Sequence, residues 1–210
     1  MSMSLINKLR TYPHPYITHT EVEALLDGTA DSRYSKVKRL LEQGTLLHIR
    51  RGLYCLADHI SKPHPFELAQ RIYGPSYISL ESALSFHQLI PETVYSITST
   101  SAKRSKEFQT PLGVFSYLRL PLENFYLDVE LISTDDYQFF MAKPWKAICD
   151  YVYCYKKDWN SLAPLQESLR IALEDLPRPS DEEIELLDEY YHHKRLSLFL
   201  KYIKKYFNEN

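Results

Sequence analysis

The sequence has few cysteines and no long apolar run, and each shortage removes a class of protein. Three cysteines in 210 residues are too few, and odd in number, for the disulfide framework of a small secreted domain. No stretch approaches the roughly 18 apolar residues of a membrane span, and the N-terminus lacks the pattern of a signal peptide. We therefore expect free thiols at Cys55, Cys149 and Cys154, a cytoplasmic location and no membrane partner.

Motifs of several enzyme classes are also missing. The chain has no Gly-Lys-Ser/Thr phosphate loop, no His-Glu-x-x-His and no Gly-x-Ser-x-Gly. None of the 27 acidic residues has lysine two positions later, which excludes the commonest nuclease metal site. None of the five glycines precedes a serine, a pair that nucleotidyltransferases use. We predict no catalytic residue, no metal site and no cofactor.

Two groups of potential metal ligands favour structural interpretations. Asp128 and Glu130 have the spacing of paired carboxylates, so a nuclease or nucleotidyltransferase-like enzyme with a migrated site stays open as a lesser alternative. The preferred interpretation is a strand with alternating exposed acids. Cys149 and Cys154 lie five residues apart on a predicted helix, about 140° apart around its axis. That arrangement is not zinc spacing.

The net charge of −2 conceals an uneven distribution. Residues 1–62 carry nine basic and six acidic side chains, a net charge of +3. Residues 63–136 carry five and nine, and residues 137–210 carry eleven and twelve, so the remainder has a net charge of −5. A basic segment favours a polyanion such as nucleic acid, whereas an acidic body avoids one.

Helix signals fill the first 44 residues. Residues 4–10 form the first predicted helix, which ends before two prolines. Thr18 and Glu21 have the spacing of a capping box and start the second, which ends near Gly28. The sequence therefore predicts two short helices ahead of the third.

The third helix has one apolar and one basic side. Ser32 is its predicted cap, and Gly44 is placed to end it. The apolar stripe consists of Tyr34, Val37, Leu40 and Leu41. The opposite side presents Ser35, Arg39 and Gln43, flanked by Lys36 and Lys38. We predict base contacts from Ser35, Lys36 and Arg39, and phosphate contacts from Arg33 and Lys38.

A predicted β-hairpin follows this helix directly. Residues 46–49 and 53–56 read as strands joined by a tight turn, Arg50-Arg51-Gly52. Arg50 and Arg51 at its tip suit phosphate or the minor groove. Three helices and a hairpin predict an N-terminal winged helix-turn-helix domain, residues 1–62, that binds double-stranded DNA.

The remainder, residues 63–210, is predicted to be a mixed α+β domain with a helical C-terminus, giving the chain an α+β fold. Pro63-His64-Pro65 reads as a short stiff link. Helices are expected at residues 66–73, 79–91 (capped by Ser79), 143–155, 161–173 and 180–207, the last broken near His192-His193. Strands are expected at residues 94–98, 107–110, 114–120, 126–132 and 137–141.

A polar loop after the first of these strands carries three cations, Lys103, Arg104 and Lys106. It is a candidate for a second nucleic-acid contact, for a partner or ligand loop, or for a solvated connection.

Several segments together resemble the AbiEi antitoxins, over roughly residues 5 to 155. They are residues 46–54, the run Tyr-Ile-Ser-Leu-Glu-Ser-Ala-Leu-Ser-Phe-His at 77–87, Leu-Ile-Pro at 89–91 and Thr-Pro-Leu-Gly at 110–113. The second and fourth are the more specific ones. AbiEi proteins are the transcriptional-regulator components of bacterial type IV toxin-antitoxin systems.

The resemblance implies an N-terminal winged helix that represses its own operon and a C-terminal domain that carries antitoxicity. The toxin it implies is nucleotidyltransferase-like and is opposed without a stable complex. By position, Arg50 and Arg51 match the basic wing and the third helix matches the recognition helix; no catalytic residue is implied.

Our leading hypothesis is a two-domain DNA-binding regulator and antitoxin, not an enzyme. Repression would follow from occupancy of its own promoter. Because single small modules bind weakly, we expect a homodimer or two copies on repeated half-sites. The main alternative is an interaction module that binds a neighbouring gene product directly.

Overall fold

Residues 5–59, 62–91, 95–121 and 123–209 are described by a computed structural model of the chain. Helices and strands are mixed along them, and the strands form a three-stranded and a six-stranded sheet. The predicted α+β class is therefore confirmed. No helix within these ranges combines the length and the apolar character that crossing a bilayer requires.

The first 55 described residues, 5–59, form what we call the N-terminal unit. Its three strands are all antiparallel, in the order β1-β3-β2. Its elements are α1 (Leu5–Arg10), β1 (Tyr16–Thr18), α2 (His19–Ala24), α3 (Ala30–Glu42), β2 (Leu46–Arg50) and β3 (Leu53–Leu56). Ser4, the predicted start of the first helix, lies outside the described residues.

The helix caps of this unit follow the sequence signals in one case and depart from them in another. Thr18 and Glu21 form the predicted capping box at α2, because each side chain bonds the other residue's backbone N–H. The cap of α3 is Thr29, whose hydroxyl accepts from the Ser32 N–H, so the prediction of Ser32 is wrong. Asp31 in the first turn favours this earlier start, because its charge suits the helix dipole.

The buried side of α3 is narrower than its apolar stripe. Val37 and Leu40 are buried and Leu41 is half-buried. Tyr34 is 64% exposed, so the predicted apolar stripe is not buried along its whole length. A tyrosine carries a polar tip on an apolar ring and tolerates either environment, so periodicity alone does not decide its burial.

The remainder, which we call the body, is built on a mixed sheet with the order β6-β7-β5-β4-β9-β8. Its strands are β4 (Ser76–Ile78), β5 (Ser96–Ser101), β6 (Lys106–Thr110), β7 (Gly113–Arg119), β8 (Val129–Ser133) and β9 (Gln138–Ala142). Its helices are α4 (Pro65–Ile72), α5 (Leu80–Phe86), α6 (Pro144–Cys154), α7 (Ala163–Glu167), α8 (Asp181–Tyr191) and α9 (Lys194–Glu209), with a 3-10 turn at Leu173–Asp175. Helices α4, α5 and α6 contact the sheet, and α9 packs on α6 and α8.

Most predicted elements of the body are present, with shifted ends. The five expected strands correspond to β5 to β9, although Val94, the expected start of the first, lies outside the described residues. The helix expected at residues 161–173 is wrong in length, because only Ala163–Glu167 is α-helical. The break near His192 is confirmed, since His192 adopts φ +44° between α8 and α9.

Strand β3 belongs to two hydrophobic cores at once. Its side chains alternate between the faces of the three-stranded sheet, and all four are buried. Tyr54 and Leu56 pack with the helices of the N-terminal unit. Leu53 and Cys55 pack into the core of the body, together with Ile49 from β2. The small sheet is therefore covered on both faces, and the N-terminal unit is joined to the body by apolar packing as well as by the chain.

A buried polar network ties the helical C-terminus to the large sheet. Lys146 and Asp150 of α6 are fully buried and form an ion pair of 2.6 Å. Lys146 Nζ also donates to the hydroxyls of Tyr77 and Tyr191, and both hydroxyls donate to Asp150. Ser79 donates to Asp150 as well, so the hydroxyl expected to cap α5 makes no cap bond. Burial, and next the Asp150 charge, raise the pKa of Tyr77 and of Tyr191.

Candidate nucleic-acid interface

The outer surface of α3 carries the predicted base-contacting residues, which differ in their exposure and in their contacts with the rest of the protein. Ser35 and Arg39 are exposed, one helical turn apart. Lys36 is half-buried, because its Nζ donates to the carbonyl of Asp27 at 2.7 Å. Within the described ranges Arg39 forms no ion pair. The charge best placed to meet a ligand on this helix is therefore that of Arg39.

The two predicted phosphate contacts of α3 are also unequal. Lys38 is exposed and lies 3.8 Å from Glu42 in an i,i+4 pair. Such a solvated pair is weak, typically about 0.3–0.5 kcal/mol, so Lys38 can exchange Glu42 for another anion. Arg33 is half-buried, and its Nε is buried with no hydrogen-bond partner among the described residues.

The hairpin between β2 and β3 turns at Gly52, which adopts φ +78° and has open space around it. A side chain at this φ would be strained, so glycine suits the turn. Arg51 is exposed beside it. Arg51 therefore lies in the turn of a hairpin, as the sequence predicts, and the structure adds that its side chain is open to solvent.

Arg50 differs from its neighbour, because its side chain folds back onto the body. Its guanidinium donates to the carbonyls of Arg51 at 3.0 Å and Arg71 at 3.3 Å. Arg71 lies in the last turn of α4, where carbonyls lack helical partners and the helix dipole favours a cation. Arg50, predicted like Arg51 to be a nucleic-acid contact at the tip of the hairpin, therefore also has a structural role. Its Nε is nevertheless buried and makes no hydrogen bond to a described residue.

The loop between β5 and β6 lies next to the β2–β3 hairpin in the folded chain. Lys103 and Lys106 line one cavity with Arg50 and Arg51, at the junction of the N-terminal unit and the body. Arg104 is exposed outside this lining, and its carbonyl accepts a hydrogen bond from Tyr73. Two groups of cations that lie about 50 residues apart in the sequence thus form one positive surface.

We call this cavity of about 360 Å³ the seam pocket. Two aromatic rings in its lining, Tyr73 and Phe108, were not anticipated from the sequence. Lys103 Nζ lies 5.4 Å from the centre of the Tyr73 ring, and Lys106 Nζ lies 4.7 Å from that of Phe108. Strand alternation places Lys106 and Phe108 on one face of β6, a signal that was readable in advance. The position of Tyr73 depends on tertiary packing.

Asp128 and Glu130, the carboxylates of the enzyme alternative, are engaged in packing. Asp128 precedes β8 at φ +54°; its side chain is only 6% exposed and pairs with Lys143 Nζ at 2.7 Å. Burial, followed by the Asp128 charge, raises the pKa of Glu183 nearby. Glu130 is half-buried, so the expectation of a strand with exposed alternating acids is wrong. Among the described residues, no group of three or more His, Cys, Asp or Glu side chains is arranged to hold a metal ion.

The three cysteines are unpaired. Cys55 and Cys149 are buried and Cys154 is half-buried. Burial raises the pKa of Cys55 to about 12, and it also raises those of Cys149 and Cys154. Because the thiolate is the reactive form, all three thiols are chemically quiet at neutral pH.

No protein-family model matches the chain, and no curated protein matches it.

Proposed function

We propose that the N-terminal unit is a winged helix-turn-helix that binds double-stranded DNA, with α3 as recognition helix and the β2–β3 hairpin as wing. The proposal depends chiefly on one observation: the exposed basic face of α3 is followed at once by a hairpin with arginine at its tip. In helix-turn-helix docking the recognition helix lies in the major groove and its outward side chains reach base edges. Ser35, near the middle of α3, and Arg39, in its last turn, are the exposed side chains that we propose for this contact.

Phosphate contacts supply the affinity in this proposal. Lys38 and Arg51 are exposed on the N-terminal unit. Lys103 and Arg104 are exposed on the adjoining β5–β6 loop, and Lys106 is exposed at the start of β6. Each cation that neutralises a phosphate releases counterions, so binding weakens steeply with salt. The net charge of the remaining chain is negative, which favours DNA at this surface over the rest of the molecule.

We extend the proposal to transcriptional repression and antitoxicity on the resemblance to AbiEi proteins. The protein then occupies its own promoter in the bacterial cytoplasm, as a dimer or as two copies on repeated half-sites, and blocks transcription. The body then carries the antitoxin activity against a nucleotidyltransferase-like toxin. The two more specific resembling segments support this division, since they form β4–α5 and the β6–β7 turn of the body.

Fluorescence anisotropy with a labelled duplex from upstream of its own gene tests DNA binding. Arg39→Ala is expected to weaken binding at least about tenfold, the scale of one good contact to a base. Lys38→Ala is expected to act on all sequences and to reduce the salt slope by about one. Lys201→Ala, on the exposed surface of α9, is the matched control because it removes the same charge.

Binding that is insensitive to salt and equal in all four proteins would overturn the DNA-binding proposal. The antitoxin part has a separate test, which is growth of cells that express the neighbouring gene product with and without this protein. Rescue of growth without co-purification agrees with the proposal. Stoichiometric co-purification would instead favour the interaction-module alternative.

A further inference from the structure

The seam pocket has a wall of one charge sign although the chain as a whole is slightly acidic. Arg50, Arg51, Lys103 and Lys106 line it, and among the described residues no carboxylate does. Within the described part of the chain none of the four forms an ion pair. A concave site lined by one sign of charge concentrates its field and attracts the opposite charge. The wall therefore suits an anion.

The cations are held in place before any ligand arrives. Lys103 lies over the Tyr73 ring and donates to the carbonyl of Gly74. Arg50 is fixed by the carbonyls of Arg51 and Arg71. Groups that are already ordered lose little further freedom on binding, which favours affinity.

Arg50 supplies an observation independent of charge. Its Nε is buried and makes no hydrogen bond to any residue in the described ranges. Buried donors are nearly always paired, and no described residue supplies an acceptor for this one, whose side chain lines the pocket. An oxygen of a phosphate group is an acceptor that guanidinium binds well.

We propose that the seam pocket is a binding site for a phosphate group, carried either by a free nucleotide or by the DNA backbone. Its volume of about 360 Å³ is within the range of small-ligand sites, and Tyr73 and Phe108 offer rings beside the phosphate position. Because the N-terminal unit and the body each contribute two of the cations, a bound phosphate bridges the two. The backbone source depends on the proposed function, whereas the nucleotide source does not.

The test uses Lys103→Gln/Lys106→Gln in the full chain, which leaves the hairpin and α3 intact. Lys194→Gln/Lys201→Gln is the control, because it removes two exposed cations from α9. Calorimetry measures binding of ATP, inorganic phosphate and adenosine, and anisotropy measures binding of the upstream duplex. Circular dichroism checks that both variants are folded.

If the phosphate belongs to a free nucleotide, wild type and control bind ATP and inorganic phosphate but not adenosine. The pocket variant then loses about tenfold or more in ATP affinity. If the phosphate belongs to DNA, ATP does not bind, and the pocket variant has a salt slope lower by about two than that of the control. Loss of both ATP and DNA binding also supports the site and indicates that the two ligands compete.

The proposal is overturned if the pocket variant matches the control in every titration, or if wild type binds neither phosphate compounds nor DNA. Failure of the proposed function is distinguishable from this result. A wild-type protein that ignores the duplex but binds ATP through Lys103 and Lys106 contradicts the function and supports the pocket. A protein whose DNA binding depends on Arg39 but not on these lysines, and which binds no ATP through them, supports the function and contradicts the pocket.

Discussion

A lysine side chain lies over tyrosine rings at two places in this molecule, in the core of the body and at the seam pocket, and the two lysines have different roles. In the body, Lys146 Nζ lies within 5.1 Å of the ring centres of Tyr77, Tyr190 and Tyr191, and is fully buried against Asp150. At the seam pocket, Lys103 lies over Tyr73 but is exposed, and no carboxylate of the described residues lines the pocket with it. The partner decides the role: a buried cation with a carboxylate fixes the fold, and an exposed cation without one is left for a ligand.

The largest expected effect comes from breaking the buried pair. Lys146→Met leaves the Asp150 charge buried and unpaired, so we expect the free energy of unfolding to fall by about 3–5 kcal/mol. Chemical denaturation measures it. Lys103→Met is the control at the seam pocket; it loses only an exposed hydrogen bond and a ring contact, so we expect a fall of no more than about 1 kcal/mol.

A second variant sharpens that result. Lys146→Met/Asp150→Leu removes both charges and should recover part of the loss, because an apolar pair can replace a buried ion pair. Equal stability of Lys146→Met and Lys103→Met would remove the distinction between the two sites.

An intermediate loss of stability is expected at one of the two adjacent arginines of the hairpin and not at the other. Arg50→Ala loses hydrogen bonds to the carbonyls of Arg51 and Arg71, so we expect it to destabilise the fold by about 1 kcal/mol. Arg51→Ala loses no such bond and should lie within about 0.5 kcal/mol of wild type. Thermal unfolding of both variants measures the difference, and a larger loss from Arg51→Ala would contradict the assignment of Arg50 to the joint between unit and body.

The smallest expected effect is on the pH dependence of stability, and it concerns a further basic side chain, that of the partly buried His64. His64 stacks on Tyr137 and Phe139 and caps α4 by accepting from the Phe66 N–H. Burial lowers its pKa below 6.5, so between the folded and unfolded pKa values the unfolded chain binds more protons. This residue's contribution is present above pH 6.5 and is lost as pH falls through the folded pKa.

His64→Asn retains a capping side chain without the titrating ring. We expect a shallower loss of unfolding free energy between pH 7 and pH 5, measured by urea denaturation at each pH. The slope is compared, not the absolute stability, because asparagine also gives up the ring stacking. An unchanged slope would assign the pH dependence to other groups.

Local signals in the sequence predicted the elements that local chemistry determines. The Thr18–Glu21 capping box, the turn at Gly52 and the break at His192 each depend on neighbours in the chain. The three-residue strands β1 and β4 were missed, because runs this short have no readable period and exist only through their partners β3, β5 and β9.

The candidate site divides in the same way. Arg39 and Arg51 were identified from the sequence pattern alone, because the exposure of a charged side chain on a helix face or in a turn can be predicted without knowing the tertiary packing. The sequence did not predict that Lys103 and Arg50 line the same pocket, since this depends on how the β5–β6 loop and the hairpin pack. The network of Lys146 was missed for the same reason, although its i,i+4 spacing to Asp150 was visible on a predicted helix.

The double role of β3 has a consequence for any dissection of the molecule. Residues 5–59 expressed alone would present Tyr16, Ile49, Leu53 and Cys55 to water, an apolar sheet face that invites self-association. Conversely, any rearrangement of the body that shifts Leu53 also shifts Tyr54 on the opposite face. A displacement of β3 in one hydrophobic core is therefore transmitted directly to the other core. This coupling does not require any change in the residues that connect the N-terminal unit to the body.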